Sequence, residues 1–250
     1  MARWMNPLLR QKPFDRIFAP AFSGKYNHAV ILPIQQDIPI PANSILPRQL
    51  LETLVEQSST RVVMNSCLCR TVEGCDDYPL DLGCLFLGEG AEQIHSSMAH
   101  TVSRDEALAH INRGMALSLS PTIIHSWFDA AVLGIDYKKM LGICFCCPCC
   151  CTLQRSVTLG PDTFQDSVKP IPGIKVEITS ECIGCGTCLE TCAFQAIEMH
   201  SPAAIITTRC KACGRCVEIC PQQAIRMEIE TNSLDIQHLL ASIQSRAQIN

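Results

Sequence analysis

Eight cysteines in the last third of the sequence form two runs with the same spacing. Each run has the order Cys-x2-Cys-x2-Cys-x3-Cys, first from residue 182 to 192 and again from residue 210 to 220. A [4Fe–4S] cubane has four iron corners, each of which binds a thiolate, and three cysteines spaced in this way can wrap three of them. The sequence therefore predicts two cubanes, and such clusters perform one-electron transfer.

The repeat between the two runs extends beyond the thiols. A shift of 28 residues aligns 195–197 with 223–225, both Gln-Ala-Ile, and it also aligns 176–179 with 204–207. Each half is expected to form a short strand, a cluster loop, a helical turn and a second strand. Residues 174–229 resemble a two-cluster bacterial ferredoxin domain. This resemblance implies an α+β chain whose C-terminal domain has a pseudo-twofold (βαβ)2 arrangement.

The resemblance also implies a ligand set, because the fourth cysteine of each run binds the cluster of the other run. The first cluster is then held by Cys182, Cys185, Cys188 and Cys220, and the second by Cys210, Cys213, Cys216 and Cys192. Four isoleucines are expected to be buried beside the clusters and to limit solvent access, namely Ile183, Ile197, Ile219 and Ile225. One departure is Ala193, where the second run has Pro221, and neither residue is a ligand.

Zinc and disulfides are the alternatives for these eight cysteines. Structural zinc sites generally pair two ligands across a longer gap, which two compact runs do not provide. Iron–sulfur clusters are therefore the preferred interpretation.

The other ten of the 18 cysteines form a second set. No ordinary apolar core needs six thiols within residues 144–151, and disulfides are rare in a reducing compartment. We predict a third centre, which could be an iron–sulfur cluster or zinc, with buried or redox-buffering thiols as the alternative. Its candidate ligands are Cys67, Cys69, Cys75, Cys84, Cys144, Cys146, Cys147, Cys149, Cys150 and Cys151.

Chain geometry suggests how this second set is assembled. In an extended segment Cys144 and Cys146 share a face, and Pro148 then turns the following thiols around a point. Arg70 could compensate thiolate or cluster charge, or it could form an ordinary salt bridge. Four histidines are weaker candidate ligands, because surface and capping histidines are more common: His95, His100, His110 and His125.

The cysteine-rich segments resemble a second group of proteins. Residues 66–70, Cys75, 81–88 and 146–151 are similar to the N-terminal part of 4Fe–4S dicluster-domain proteins of anaerobic microbes. This resemblance would span most of the chain but implies no particular activity. The sequence has no Cys-Cys-Gly module of the heterodisulfide reductase type, so that chemistry is not implied.

Five segments are expected along the chain. Residues 1–47 contain seven prolines and are expected to form an extended, mildly basic arm. Residues 48–151 are expected to form a Cys-rich α/β domain, and 152–173 a linker marked by Gly-Pro. The dicluster domain follows at 174–229, and 230–250 carry an amphipathic helix that packs back on the N-terminal domain or binds a partner.

Local patterns place several elements within these segments. A helix is expected from Pro47, and a second from Ser103, where Glu106 completes a capping box. Strands are expected at 61–65 and 141–145, each leading into cysteines. The apolar face of the first helix consists of Leu50, Leu51, Leu54 and Val55.

Composition narrows the classes of function. The chain has a formal net charge of −4 and no basic stripe or aromatic platform, so a nucleic-acid partner is not expected. No apolar run reaches the roughly 18 residues of a membrane span, and the first ten residues lack a signal-peptide pattern. Glycine patterns for binding dinucleotides or phosphates are missing. Reduced thiols favour the cytoplasm, and we expect an anaerobic or microaerophilic organism.

Three functions are compatible with these features. The first is an electron carrier or oxidoreductase subunit that passes low-potential electrons through two [4Fe–4S] clusters to a partner oxidoreductase. The second is an enzyme whose N-terminal cysteine centre reduces a small substrate with electrons from the ferredoxin domain. The third is a redox or metal sensor. A carrier or subunit is preferred to a stand-alone enzyme.

Overall fold

Seven strands form a single sheet in the first two-thirds of the chain. The computed structural model describes residues 24, 26–34, 47–160, 162–200, 203–229 and 236–250. The strands of this sheet are β1 (Asn27–Ile31), β2 (Arg61–Met64), β3 (Leu85–Leu87), β4 (Ala99–Thr101), β5 (Ser120–Ser126), β6 (Leu141–Cys146) and β7 (Val168–Pro170). Their order is β4-β2-β3-β6-β5-β1-β7, and every pairing is antiparallel except that of β1 with β7.

Helices cover and connect the strands. They are α1 (Pro47–Gln57), α2 (Leu68–Glu73), α3 (Arg104–Ala116), α4 (Trp127–Leu133), α5 (Thr152–Leu159), α6 (Thr187–Thr191), α7 (Arg215–Ile219) and α8 (Ile236–Arg246), with 3-10 turns at Glu89–Gln93, Tyr137–Lys139 and Asp162–Ser167. This mixture of helices and strands confirms the α+β class. The N-terminal domain was expected to be α/β, but its sheet is antiparallel in every pairing except that of β1 with β7, so this expectation was wrong. Strands that follow each other in the chain, β2 with β3 and β5 with β6, pair directly and antiparallel, without the crossover that parallel neighbours need.

The apolar face expected for the first helix is confirmed in α1. Leu50, Leu51, Leu54 and Val55 are all 0% exposed, and each such burial contributes roughly 1.5–3 kcal/mol. The strands expected at 61–65 and 141–145 are β2 and β6, within one residue at their ends. The central strand β6 therefore carries the chain directly into the cysteine-rich segment.

The capping box expected at the start of α3 is also confirmed. The backbone N–H of Glu106 donates to Ser103 Oγ at 3.3 Å, and the Glu106 carboxylate accepts from the Ser103 backbone N–H at 2.8 Å. The side chain of Ile111 in this helix is 2% exposed, so the cap fixes the start of a helix that packs on the core.

Replacing Ser103 by alanine is expected to destabilise the protein by about 1 kcal/mol, because a backbone donor at the helix start loses its acceptor. Chemical denaturation under anaerobic conditions measures the change. The exposed Asn112 of the same helix provides a control, since Asn112→Ala removes no cap and should leave stability unchanged or slightly raised. Equal losses in the two variants would contradict this account.

Two segments interpreted as an arm and a linker contribute to the folded structure. Within the arm, residues 27–31 form β1, which lies between β5 and β7 in the sheet. Residues 1–23, Lys25 and 35–46 lie outside the described residues. The segment 152–173 contains α5 and β7, because Val157 and Val168 are buried in the core although prolines and glycine flank them.

The C-terminal segment contains two small sheets related by the sequence repeat. Strands β8 (Ile174–Ile178) and β11 (Ile225–Ile229) pair antiparallel, as do β9 (Ile197–His200) and β10 (Ala203–Ile206). The two cluster loops have equivalent backbone geometry, since α6 follows Gly186 at φ 81° and α7 follows Gly214 at φ 81°. The backbone thus repeats the 28-residue periodicity of the sequence.

The C-terminal helix α8 packs back on the N-terminal domain, which was one of two expectations for it. Ile243, Ala247 and Ile249 are each at most 7% exposed. The Ser59 N–H donates to the Ile249 carbonyl at 2.8 Å, and the Gln248 N–H donates to the Lys138 carbonyl at 2.8 Å. In the part of the chain that the structure describes, no helix is long and apolar enough to cross a membrane.

Candidate metal centres

Four of the eight C-terminal thiols surround a single cavity. Cys182, Cys185 and Cys188 line it together with Cys220 from the second run, and we call these four residues the outer site. The cavity opens to solvent beside the exposed Cys185. These are the residues predicted to share the first cluster.

Solvent reaches the outer site more freely than expected. Ile183, which was expected to be buried, is 61% exposed, so this prediction was wrong. It lies between Cys182 and Cys185 in a loop whose outer side contacts no other part of the described chain closely enough to cover it. Ile197 and Ile225 are buried, as expected, and Ile219 is half-buried.

The other four thiols form a second group, which we call the inner site: Cys192, Cys210, Cys213 and Cys216. Cys192 comes from the first run, yet it interacts electrostatically with Cys210, Cys213 and Cys216 of the second run. Cys192, Cys210 and Cys213 pack against buried apolar side chains that include Ile31 of β1 and Phe194. The inner site therefore faces the N-terminal domain.

All eight donors at the two sites are cysteine sulfurs, the ligands that iron–sulfur clusters bind. Burial raises the pKa of Cys213 to about 11 and also raises the pKa of Cys210, Cys216 and Cys188. A thiol in such surroundings ionises when a metal replaces its proton. At the outer site, a hydrogen bond with the Thr187 hydroxyl lowers the pKa of the Cys185 thiol.

Two hydrogen bonds connect the inner site and its neighbour Ala193 to the N-terminal part of the chain. The Ile34 N–H donates to the Cys213 carbonyl at 3.0 Å, and the Thr158 hydroxyl donates to the Ala193 carbonyl at 2.7 Å. These bonds, together with the shared apolar packing, make the inner site part of the contact between the two halves of the chain.

Two buried cations distinguish the inner site from the outer one. Lys211 is 6% exposed and Arg215 is 8% exposed. Lys211 Nζ donates to the Gln165 carbonyl at 3.0 Å, and Arg215 Nη2 donates to the Ser118 carbonyl at 2.8 Å. The 28-residue shift places Ile183 and Thr187 at the equivalent outer positions. Sequence reasoning missed this charge difference, although the aligned repeat contains it.

Residues 181–225 match a family model described as a 4Fe-4S dicluster domain. The match covers both cysteine runs up to the first residue of β11. The C-terminal segment is therefore an iron–sulfur domain. Searches of curated proteins and of solved structures gave no match.

The ten N-terminal thiols separate into two groups. We call the first the four-thiol group: Cys75, Cys147, Cys149 and Cys150. Its four sulfurs all lie within 4.8 Å of one another, and Cys75 Sγ lies 3.7 Å from Cys149 Sγ. Cys149 is exposed and the other three are buried.

The remaining thiols lie together as three linked pairs, and we call them the six-thiol group: Cys67, Cys69, Cys84, Cys144, Cys146 and Cys151. Cys84 Sγ, just before β3, lies 2.7 Å from Cys144 Sγ of β6, and Cys151 Sγ lies 3.1 Å from Cys146 Sγ. Cys67 and Cys69 are hydrogen-bonded to each other. Electrostatic interactions of Cys67 with Cys84, and of Cys151 with Cys69, link the three pairs.

Thiol pairing gives the six-thiol group uneven acidity. The hydrogen bond between Cys67 and Cys69 lowers the pKa of Cys69 to about 6 and raises the pKa of Cys67. Burial raises the pKa of Asp129 to about 6, and the neighbouring Cys69 contributes to this shift. Asp129 was not among the sequence candidates, and no spacing rule relates it to the cysteines.

Arg70 is a buried cation between the two N-terminal groups. It is 1% exposed, and its Nη1 donates to the Phe145 carbonyl at 2.9 Å. Burial opposes its charge, but the nearby thiols Cys67, Cys147 and Cys84 raise its pKa. Within the described residues no carboxylate is paired with it, so charge compensation of thiolates is the better interpretation of the two proposed for Arg70.

The four histidines of the second set make hydrogen bonds to other groups. His110 Nε2 bonds to the Gly83 carbonyl and His125 Nε2 to the Tyr137 carbonyl, both at 2.8 Å. His95 and His100 bond to Ser97 and Asn65, respectively. The four-thiol group thus contains sulfur ligands alone.

Proposed function

We propose that this protein is an electron-transfer protein or oxidoreductase subunit with two [4Fe–4S] clusters, one in the outer site and one in the inner site. The proposal includes the ligand sets implied by the sequence and a ferredoxin-like pseudo-twofold domain. It rests on one observation above all, which is that the domain matching a 4Fe-4S dicluster model brings its eight thiols together as two groups of four. Two clusters so bound would supply one-electron transfer.

The exposure of the outer site supports docking of a redox partner there. Ile183 and Leu189 are 61% and 43% exposed, and both adjoin cluster cysteines in sequence. The exposed carboxylates Glu181 and Glu190 lie next to them along the chain. Apolar and acidic groups in this combination suit a partner with a basic rim around an apolar centre. We propose that a partner oxidoreductase binds this face.

The buried cations support a direction for the electrons. Lys211 and Arg215 stabilise added negative charge near the inner site, whereas their outer counterparts Ile183 and Thr187 are uncharged. Positive charge near a cluster raises its reduction potential. An electron that a partner delivers to the outer-site cluster would therefore pass to the inner-site cluster, because the inner one has the higher reduction potential. Free thiols throughout the chain suit the cytoplasm as the compartment.

The packing of the inner site favours a second candidate, in which the N-terminal thiols reduce a small substrate. Cys144 of the six-thiol group packs against the same apolar side chains as Cys192 and Cys213 of the inner site. Both groups contact one apolar cluster, and this shared packing supports electron transfer from the inner site to the six-thiol group. Turnover of a substrate with an artificial low-potential donor would distinguish this enzyme from a plain carrier.

Anaerobic purification followed by assays of iron and acid-labile sulfide tests the main proposal. The two sites should account for about eight irons and about eight sulfides per chain. Stepwise reduction should be visible by electron paramagnetic resonance. A well-handled preparation that holds neither iron nor sulfide, and cannot be reconstituted with them, would overturn the proposal.

A further inference from the structure

The sulfur separations in the four-thiol group suit a single metal ion. A tetrahedral zinc site with Zn–S bonds of about 2.3 Å places its sulfurs about 3.8 Å apart. Cys75 Sγ and Cys149 Sγ are 3.7 Å apart, and all four sulfurs lie within 4.8 Å of one another. The four thiols are thus already close to the arrangement that one tetrahedral ion requires.

The iron–sulfur thiols of the same chain provide an internal comparison. Over the described residues, the four-thiol group is the one set of three or more cysteine, histidine or acidic side chains whose ligand atoms approach this closely. The outer and inner sites do not meet that limit, as expected if four irons are to lie between their sulfurs. The four-thiol group is therefore too tight for a cubane without rearrangement.

The local structure also resembles that of a structural zinc site, in which protein side chains supply all four ligands. Cys75 directly follows Gly74, the left-handed residue that ends α2 at φ 64°. The other three thiols lie in the turn after β6, on either side of Pro148. Cys147 is 1% exposed and Cys150 is 8% exposed. Four protein ligands fill a tetrahedral ion's coordination sphere, which is typical of structural rather than catalytic zinc.

We propose that Cys75, Cys147, Cys149 and Cys150 bind one zinc ion, separate from every iron–sulfur centre of the protein. Zinc with four thiolates carries two net negative charges, and the buried Arg70 beside Cys147 compensates part of this charge. The ten N-terminal cysteines then form two sites rather than one, and the six-thiol group remains for redox chemistry.

At this position the ion would stabilise the arrangement of two cysteine-bearing segments. Helix α2 has Cys67 and Cys69 near its start and Cys75 just past its end. The turn with the other three zinc ligands lies between Cys146 and Cys151. One ion would therefore tie together the two segments that supply five members of the six-thiol group, all except Cys84.

Metal analysis of the full-length protein tests this proposal. The anaerobic protein should contain one zinc per chain. Cys149→Ser, at the most exposed ligand, should reduce zinc at least fivefold and leave iron and sulfide unchanged. Cys69→Ser, in the six-thiol group, should retain zinc. A loss of about four irons and four sulfides with Cys149→Ser would overturn the proposal, as would a protein that binds no zinc after growth with added zinc.

X-ray absorption at the zinc edge tests the proposed ligands even if the variants do not fold, because it uses the unaltered protein. Four sulfur neighbours at about 2.3 Å are expected. Oxygen or nitrogen neighbours, or one iron without sulfide in place of zinc, would overturn the assignment. The iron content of the ferredoxin sites is measured separately. A negative result for zinc would therefore not contradict the proposed electron-transfer function.

Discussion

Replacing Lys211 by methionine is expected to lower the reduction potential of the inner-site cluster by about 90 mV and to leave the outer one nearly unchanged. Lys211 acts electrostatically on the Cys210 thiol, and a unit charge at a representative separation of about 8 Å, with an effective dielectric constant near 20, contributes about 2 kcal/mol. At 59 mV per factor of ten for one electron, this is about 90 mV. Lys211 is 6% exposed, so solvent screens its charge weakly. Redox titration followed by electron paramagnetic resonance measures both potentials.

The sequence repeat offers a matched control at the outer site. Ile183 is the counterpart of Lys211, and Ile183→Lys should raise the outer potential by a smaller amount, since this position is 61% exposed and screened by water. Arg215→Met should lower the inner potential in the same direction as Lys211→Met. Equal shifts of both potentials in Lys211→Met would contradict a charge effect confined to the inner site.

Loss of Cys192 is expected to remove the cluster of the opposite cysteine run. In Cys192→Ala, iron should fall from about eight to about four per chain, and the surviving cluster should be the exposed one. Cys220→Ala should have the converse effect. The two thiols are structurally equivalent, since the Ala196 and Ala224 N–H groups donate to Cys192 Sγ and Cys220 Sγ, both at 3.3 Å. Iron analysis gives the first answer.

The Lys211 variant then identifies which cluster survives. Lys211→Met should have no effect on the potential that remains in Cys192→Ala, but it should lower the one that remains in Cys220→Ala. The opposite pattern would mean that each run binds its own cluster, against the proposed exchange of the fourth ligand. Because both experiments compare variants of the full chain, partial loss of iron during purification affects them equally.

Local sequence patterns were sufficient for much of the fold. Helix α1, the capping box of α3 and the central strand β6 follow from apolar spacing and hydrogen-bonding residues a few positions apart. The cluster-binding domain follows from the two cysteine runs. Such features depend on neighbours along the chain, so a single sequence contains the information they require.

Packing between distant segments overruled other local signals. Prolines and glycines in 152–173 favour a linker, yet Val157 and Val168 bury against the sheet and the segment is ordered into α5 and β7. Ile183 is apolar but exposed, because no other segment among the described residues covers its loop. Whether these side chains are buried is therefore decided by segments distant in the sequence.

The sequence by itself determined that this chain carries thiols for metal centres, how many thiols there are, and that eight of them belong to an iron–sulfur domain. Only the tertiary structure decided which thiols meet. It placed Cys75 beside Cys149 and Cys84 beside Cys144, and it turned the inner site toward the N-terminal sheet. The physical reason is that ligand spacing within a loop is set by the local sequence. Contacts between distant thiols depend instead on strand pairing and on the burial of apolar side chains between segments.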